Sequence, residues 1–149
     1  MKYIECPVIY RQAPGEKSLF LAGGITGCPD WQVTMVNLLQ NSELALLNPR
    51  RKNFDVMDPN IDEQQIRWEF EHLNLATAIL FWFCAETLCP IALFEYGKWI
   101  GTSKRLFVGH DPGYQRSKDI GIQTELTRNG QRIHDSLDSL AEEVKNWAR

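Results

Sequence analysis

The chain has 149 residues, 44% hydrophobic and 23% charged, with a formal net charge of -3. That length suits one domain, 1–149, with its own buried core, and the composition is ordinary for a globular chain. The mildly acidic balance leaves no basic footprint for a nucleic acid polymer or an anionic membrane. No basic-then-apolar leader opens the sequence and no run approaches the roughly 18 apolar residues of a membrane span, so the expected location is cytoplasmic.

An extended leader, Tyr3 to Pro14, comes first. Ser18-Leu19-Phe20-Leu21-Ala22 reads as a buried strand stopped by Gly23-Gly24. Asp30 caps a helix with Val33, Val36, Leu38 and Leu39 turned inward, and Leu44 to Leu47 is a second strand ended by Asn48-Pro49. Asp62 opens a helix to about Leu75, whose Ile66, Phe70 and Leu73 form the stripe expected to face the core. Ala78 to Phe83 is a third strand, Pro90 to Ile100 a third helix, and Arg105 to Val108 a fourth strand. A helix around Asp119 to Leu126, a short fifth strand between Asn129 and Ile133, and an amphipathic helix from Ser136 to Trp147 complete the chain. Strands alternating with helices predict a parallel sheet with right-handed crossovers, and short apolar strands predict one covered on both faces. The expected fold is α/β, a flavodoxin-like or Rossmann-like three-layer sandwich around a parallel four- to five-stranded sheet.

The cysteines, Cys6, Cys28, Cys84 and Cys89, form no CxxC pair and match no zinc spacing with His72, His110 and His134. They are expected as reduced, partly buried thiols, with no metal implied. Four other segments carry chemistry-bearing residues. Ala22-Gly23-Gly24-Ile25-Thr26-Gly27 lets backbone approach a ligand, yet lacks the glycine spacing and Lys-Ser/Thr pair of a Walker loop or dinucleotide fingerprint. An ordinary tight turn accounts for it equally well. Asn48-Pro49-Arg50-Arg51-Lys52 offers groups to read a base or ribose, or is a solvated cationic loop. Gln65, Trp68, Glu69 and His72 share one helix stripe, which lines a pocket mouth or is a surface ion-pair stripe.

The fourth segment follows the third strand, where α/β sheets bind ligands at the carboxyl ends of their strands. There Thr87 and Pro90 precede Glu95, a lone carboxylate among apolar neighbours in its helix. Such a group needs a compensating partner or a task. Near an anomeric carbon it can trap an electron-deficient glycosyl centre.

Six segments in order resemble the nucleoside 2-deoxyribosyltransferase superfamily, particularly its small deoxyribosyltransferase-like branch. They are Leu19 to Ile25, Asp30-Trp31-Gln32, Asn48 to Arg51, Gln65 to Leu73, Thr87 to Gly97, and Gly109 to Arg116 with Asp119 and Gln123. The resemblance implies a flavodoxin-like fold, no metal or organic cofactor, and a homo-oligomer with sites near subunit interfaces. It implies cleavage or transfer of the N-glycosidic bond of a (deoxy)nucleoside or nucleotide, with Glu95 as nucleophile and Glu69 binding or protonating the base. Gly23, Gly24, Ile25 and Thr26 would lie against base or sugar, with Asn48, Arg51, Trp68, Thr87 and Pro90 completing substrate binding. The alternatives are a nucleoside 5′-monophosphate N-glycoside hydrolase and a non-catalytic nucleotide-binding module. Two positions depart from the family pattern: Phe20 stands where transferases carry a nucleophile-orienting tyrosine, and Cys89 where they carry a sugar-binding aspartate. The stripe Ile133, Leu137, Leu140 and Val144 packs on the chain's own sheet or on a second subunit. The resemblance favours assembly, with Arg128 to Gly130 or the C-terminal residues reaching a partner's pocket.

Overall fold

Strand and helix alternate from Lys2 to Ala148 in the computed structural model, which describes residues 1–55 and 57–149. The strands are β1 Lys2–Glu5, β2 Ser18–Gly23, β3 Ala45–Asn48, β4 Ala78–Phe83, β5 Arg105–His110 and β6 Ile133–His134. The helices are α1 Trp31–Leu38, α2 Ile61–Leu75, α3 Pro90–Ile100, α4 Ser117–Thr127 and α5 Leu137–Ala148. All strand pairs are parallel and the sheet order is β1-β3-β2-β4-β5-β6. The fold is therefore the expected flavodoxin-like α/β sandwich, with six strands instead of four or five. The additional strand lies in the extended leader, where Lys2 to Glu5 pairs with Ala45 to Asn48 at the sheet edge. Its exposed or half-buried side chains give it no apolar signature in the sequence.

Without that edge strand the order β3-β2-β4-β5-β6 is the flavodoxin arrangement, and the strand order reverses between β2 and β4. Gly23, Asn48 and Phe83 end β2, β3 and β4, so the glycine loop, the Pro49–Phe54 segment and the Cys84–Cys89 loop emerge at one end of the sheet. α1 and α5 pack together on one face. α2, α3 and α4 share the other: Lys98 of α3 lies over the Phe70 ring of α2, and Tyr96 of α3 bonds Thr124 of α4 at 2.6 Å.

Two inward stripes differ in part from the sequence reading. Asp30 does cap α1, accepting from the Val33 amide at 3.2 Å. However, α1 buries Trp31, Gln32 and Met35, while Val33 is exposed. Helix α2 is also rotated: Trp68, His72 and Leu73 face inward, while Ile66 and Phe70 are exposed. The Trp68 indole donates to Val8 O at 2.8 Å, and His72 Nε2 accepts from the Tyr10 amide at 3.1 Å, so both hold the β1–β2 connection down. Polar-tipped rings thus take the inward place of the wholly apolar Ile66 and Phe70, because the strap supplies partners for their nitrogens. In α5, Leu140, Ala141 and Val144 are buried against α1 and β5, so that stripe is spent on its own sheet. Arg128 is occupied as well: its guanidinium donates to the carbonyls of Ile100, Trp99, Thr102 and Lys104 and closes the end of α3. No described helix is long and apolar enough to cross a membrane.

Candidate active site

At the point where the strand order reverses lies a cavity of about 720 Å³, a volume usual for a small organic ligand. Its floor is Phe20, Ala22 and the Gly23–Thr26 loop, and one wall comes from α2 through Gln65, Ile66 and Glu69. The opposite wall is Thr87, Cys89 and Pro90 leading into Ile91, Ala92 and Glu95 of α3, with Pro49, Arg51 and Phe54 closing the side. Gly23 is required because a Cβ there would collide with Trp82 O and sit 2.6 Å from the Trp31 ring. The loop is anchored from behind, where the Trp31 indole donates to Gly24 O at 2.9 Å.

Of the residues singled out in sequence, Gly23, Gly24, Ile25, Thr26, Arg51, Glu69, Thr87, Pro90 and Glu95 share this cavity. Asn48 and Trp68 do not line it. Asn48 is buried behind the wall, donating to the Tyr3 hydroxyl at 2.9 Å and accepting from the Arg50 amide at 3.0 Å, so it shapes the turn that presents Arg51. Trp68 lies under the strap, stacked on His72 with ring centroids 3.9 Å apart. Conversely, Ile66, assigned to the core by periodicity, forms cavity wall, as do Asp62 and Ile91. Only the rotation of α2 makes this visible, and no sequence signal marks it.

Glu95 faces the cavity from apolar surroundings, and among the described residues no donor bonds its carboxylate. Burial first, and then the charge of Glu69, raise its pKa to about 8, only slightly offset by Lys98. Burial raises Glu69 as well, opposed by the Gln65 amide and by Arg51. Gln65 is the bridge here: its Nε2 donates to Glu69 Oε1 at 2.7 Å and to Pro49 O at 2.8 Å, and its Oε1 accepts from Arg51 Nε at 2.7 Å. Arg51 also donates through Nη1 to Gln64 at 2.9 Å, which leaves a buried Nη2 without a partner among the described residues. Arg50 is spent on the carbonyls of Cys28 and Pro29, and Arg116 pairs with Asp119 at the surface.

The cysteines correct the sequence reading. Cys28 and Cys84 are disulfide-bonded, while Cys6 and Cys89 are free and buried. The pairing spans 56 positions of sequence and is hidden until the loops after β2 and β4 are known to be neighbours. Cys89 adopts a left-handed backbone with φ 50° immediately before Pro90. Backbone strain of that kind concentrates at functional sites.

Residues 16–114 match the family model described as nucleoside 2-deoxyribosyltransferase like. The chain belongs to that family. None of the curated proteins compared with it matches. In this deoxyribosyltransferase-like chain the matched span contains β2 to β5 and α1 to α3, and with them every residue of the cavity.

Proposed function

We propose that the chain cleaves or transfers the N-glycosidic bond of a (deoxy)nucleoside, with Glu95 as nucleophile and Glu69 serving the base. The observation that carries this reading is the pair of carboxylates, Glu95 and Glu69, facing one cavity of ligand size beside a glycine loop. Glu95 attacks C1′ as the C1′–N bond breaks, and the bonding electrons leave with the base. The sugar is then held as an ester on Glu95. A second base or a water molecule attacks C1′ from the other face and frees Glu95, so configuration is retained and the transition states are oxocarbenium-like.

This chemistry needs Glu95 ionised and a proton available to the departing base. In the free protein burial raises both carboxyls, but Gln65 and Arg51 oppose it at Glu69, whereas at Glu95 the charge of Glu69 adds to it. A base that presents a ring nitrogen to Glu69 favours the protonated form of Glu69 and returns the charge to Glu95. Substrate binding thereby sets the reactive protonation state. The apolar lining from Phe20, Ala22, Ile66 and Ile91 suits a stacked base, which would displace water from it. That lining favours transfer to a second base over hydrolysis.

The nucleotide-hydrolase reading is supported by the unpartnered Nη2 of Arg51, a donor for a phosphate or a base carbonyl. Among the described residues it has no second cavity cation, since Arg50 and Arg116 are engaged elsewhere. Phe20 and Cys89 remain the features that favour a binding module. Incubation with a panel of nucleosides and 5′-monophosphates, with and without free bases, separates these readings. A new nucleoside means transfer, free base alone means hydrolysis, and an unchanged panel contradicts catalysis.

We also infer self-association through α2 and α3. Ile66, Phe70, Ile91 and Phe94 are all more than half exposed, and Ile66 and Ile91 continue directly into the cavity wall. Glu63, Arg67 and Lys98 on the same helices carry both signs of charge, which permits the face to meet a copy of itself. A second chain seated there closes the cavity mouth.

A further inference from the structure

The sulfurs of Cys28, Cys84 and Cys89 lie within 4.8 Å of one another and are buried. They come from three separate places, the glycine loop, the end of β4 and the turn into α3, so the fold itself converges them. Gly24 makes the room: a Cβ there would collide with Cys28 Sγ and stand 2.8 Å and 2.9 Å from the sulfurs of Cys89 and Cys84. The Thr87 hydroxyl sits 3.5 Å from both Cys28 Sγ and Cys89 Sγ. Cys89 lines the cavity, which gives the cluster a path to solvent.

We propose that Cys28, Cys84 and Cys89, once reduced, form a thiolate site for a soft divalent cation, zinc(II) in particular, at the floor of the cavity. The Cys28–Cys84 disulfide is the oxidised, metal-free form of the same site. A zinc–sulfur bond of about 2.3 Å places two tetrahedral sulfur ligands about 3.8 Å apart. Cys84 and Cys89 already stand at 3.6 Å, so cleavage of the disulfide needs to release only Cys28 to complete a three-sulfur face. The fourth position falls to the Thr87 hydroxyl or to water arriving through the cavity. In a reducing compartment the trio exists as thiols, and three buried sulfurs without a cationic partner suit a cation better than water.

The chemistry balances simply. A phosphine reductant takes up the oxygen of one water and is oxidised to its oxide as the disulfide becomes two thiols. Zinc(II) then displaces three protons from three thiols. Along the chain Cys84 and Cys89 have the C-x4-C spacing of a zinc-binding pair, but Cys28 lies 56 positions before Cys84, so the sequence conceals the trio.

Cadmium(II) is the probe, read by its ultraviolet thiolate charge-transfer band, with zinc(II) measured by competition against a chromophoric chelator. The phosphine-reduced protein is expected to take up one cadmium per chain and release three protons, while the oxidised protein takes up none. Cys89→Ser should lose the band and weaken uptake by more than about 100-fold, beyond what loss of an outer-shell partner does. Cys6→Ser should retain uptake. The proposal is overturned if the reduced parent shows no band, if one ion is shared by two chains, if oxidised and reduced protein bind alike, or if Cys89→Ser binds as the parent does. Should Cys89→Ser fail to fold, the oxidised and reduced parent still decide the matter.

Discussion

A carboxyl held near neutral in its protonated form is the feature on which function at this site turns. Because Glu95 titrates at about 8 in the folded chain, against an ordinary 4.5, the folded state retains a proton that the unfolded state loses. This contribution to stability is complete below about 4.5, declines as pH rises, and is gone once pH has passed through about 8. Glu95→Gln should therefore be more stable than the parent at pH 8 to 9, by on the order of a few kcal/mol, and should gain little at pH 4. Thermal melts of both proteins across that range check the sign. On the proposed mechanism the same proton governs turnover, because Glu69 takes it over for the departing base: kcat/KM should hold up to about 8 and fall above it, as a limb belonging to the coupled Glu95–Glu69 pair. Gln65→Leu removes the bridge from Glu69 to Arg51 and Pro49, and should shift that limb while melting stays within about 2 kcal/mol of the parent.

Elements, more than single residues, explain what the sequence conceals. Helix α3 was legible to its ends because Pro90 starts it and Gly101 follows it. The three strand-end loops were legible because Gly23, Asn48-Pro49 and Pro90 punctuate them. Helix α2 was legible in extent but not in rotation. Apolar periodicity selected Ile66 and Phe70 for the core, whereas the strap between β1 and β2 recruits Trp68 and His72 through main-chain hydrogen bonds. That pairing is non-local and leaves no trace in α2 itself. It nevertheless aims Glu69 and Gln65 into the cavity. Burial lowers the His72 pKa below 6.5, so the stability from neutral His72 is full above 6.5 and is lost as pH falls through its folded value. The Tyr10 amide should consequently lose protection, judged against the intrinsic exchange rate at each pH, as pH falls through the lowered His72 value, while amides in β4 remain protected. Equal protection of Tyr10 above pH 6.5 and at the acid limit of the folded state contradicts the latch.

For the whole molecule, the sheet order places the cavity and the apolar face of α2 and α3 side by side, so assembly and activity are expected to be linked. Phe94→Glu lies on that face outside the cavity lining. It should convert an oligomer to monomer in light scattering, and activity of the parent should fall on dilution below its dissociation constant. A parent that scatters as a monomer at working concentration contradicts this surface assignment. The central claim, that Glu95 forms a bond to C1′, is tested most directly by acid-quenching the protein during turnover with a nucleoside, followed by peptide mass spectrometry. The expected result is a peptide containing Glu95 that carries the mass of one dehydrated sugar, absent from Glu95→Gln, whose turnover should be lower by about 10³-fold or more. Turnover of the parent with no sugar adduct on that peptide, or cleavage by Glu95→Gln within a few-fold of the parent, would contradict it.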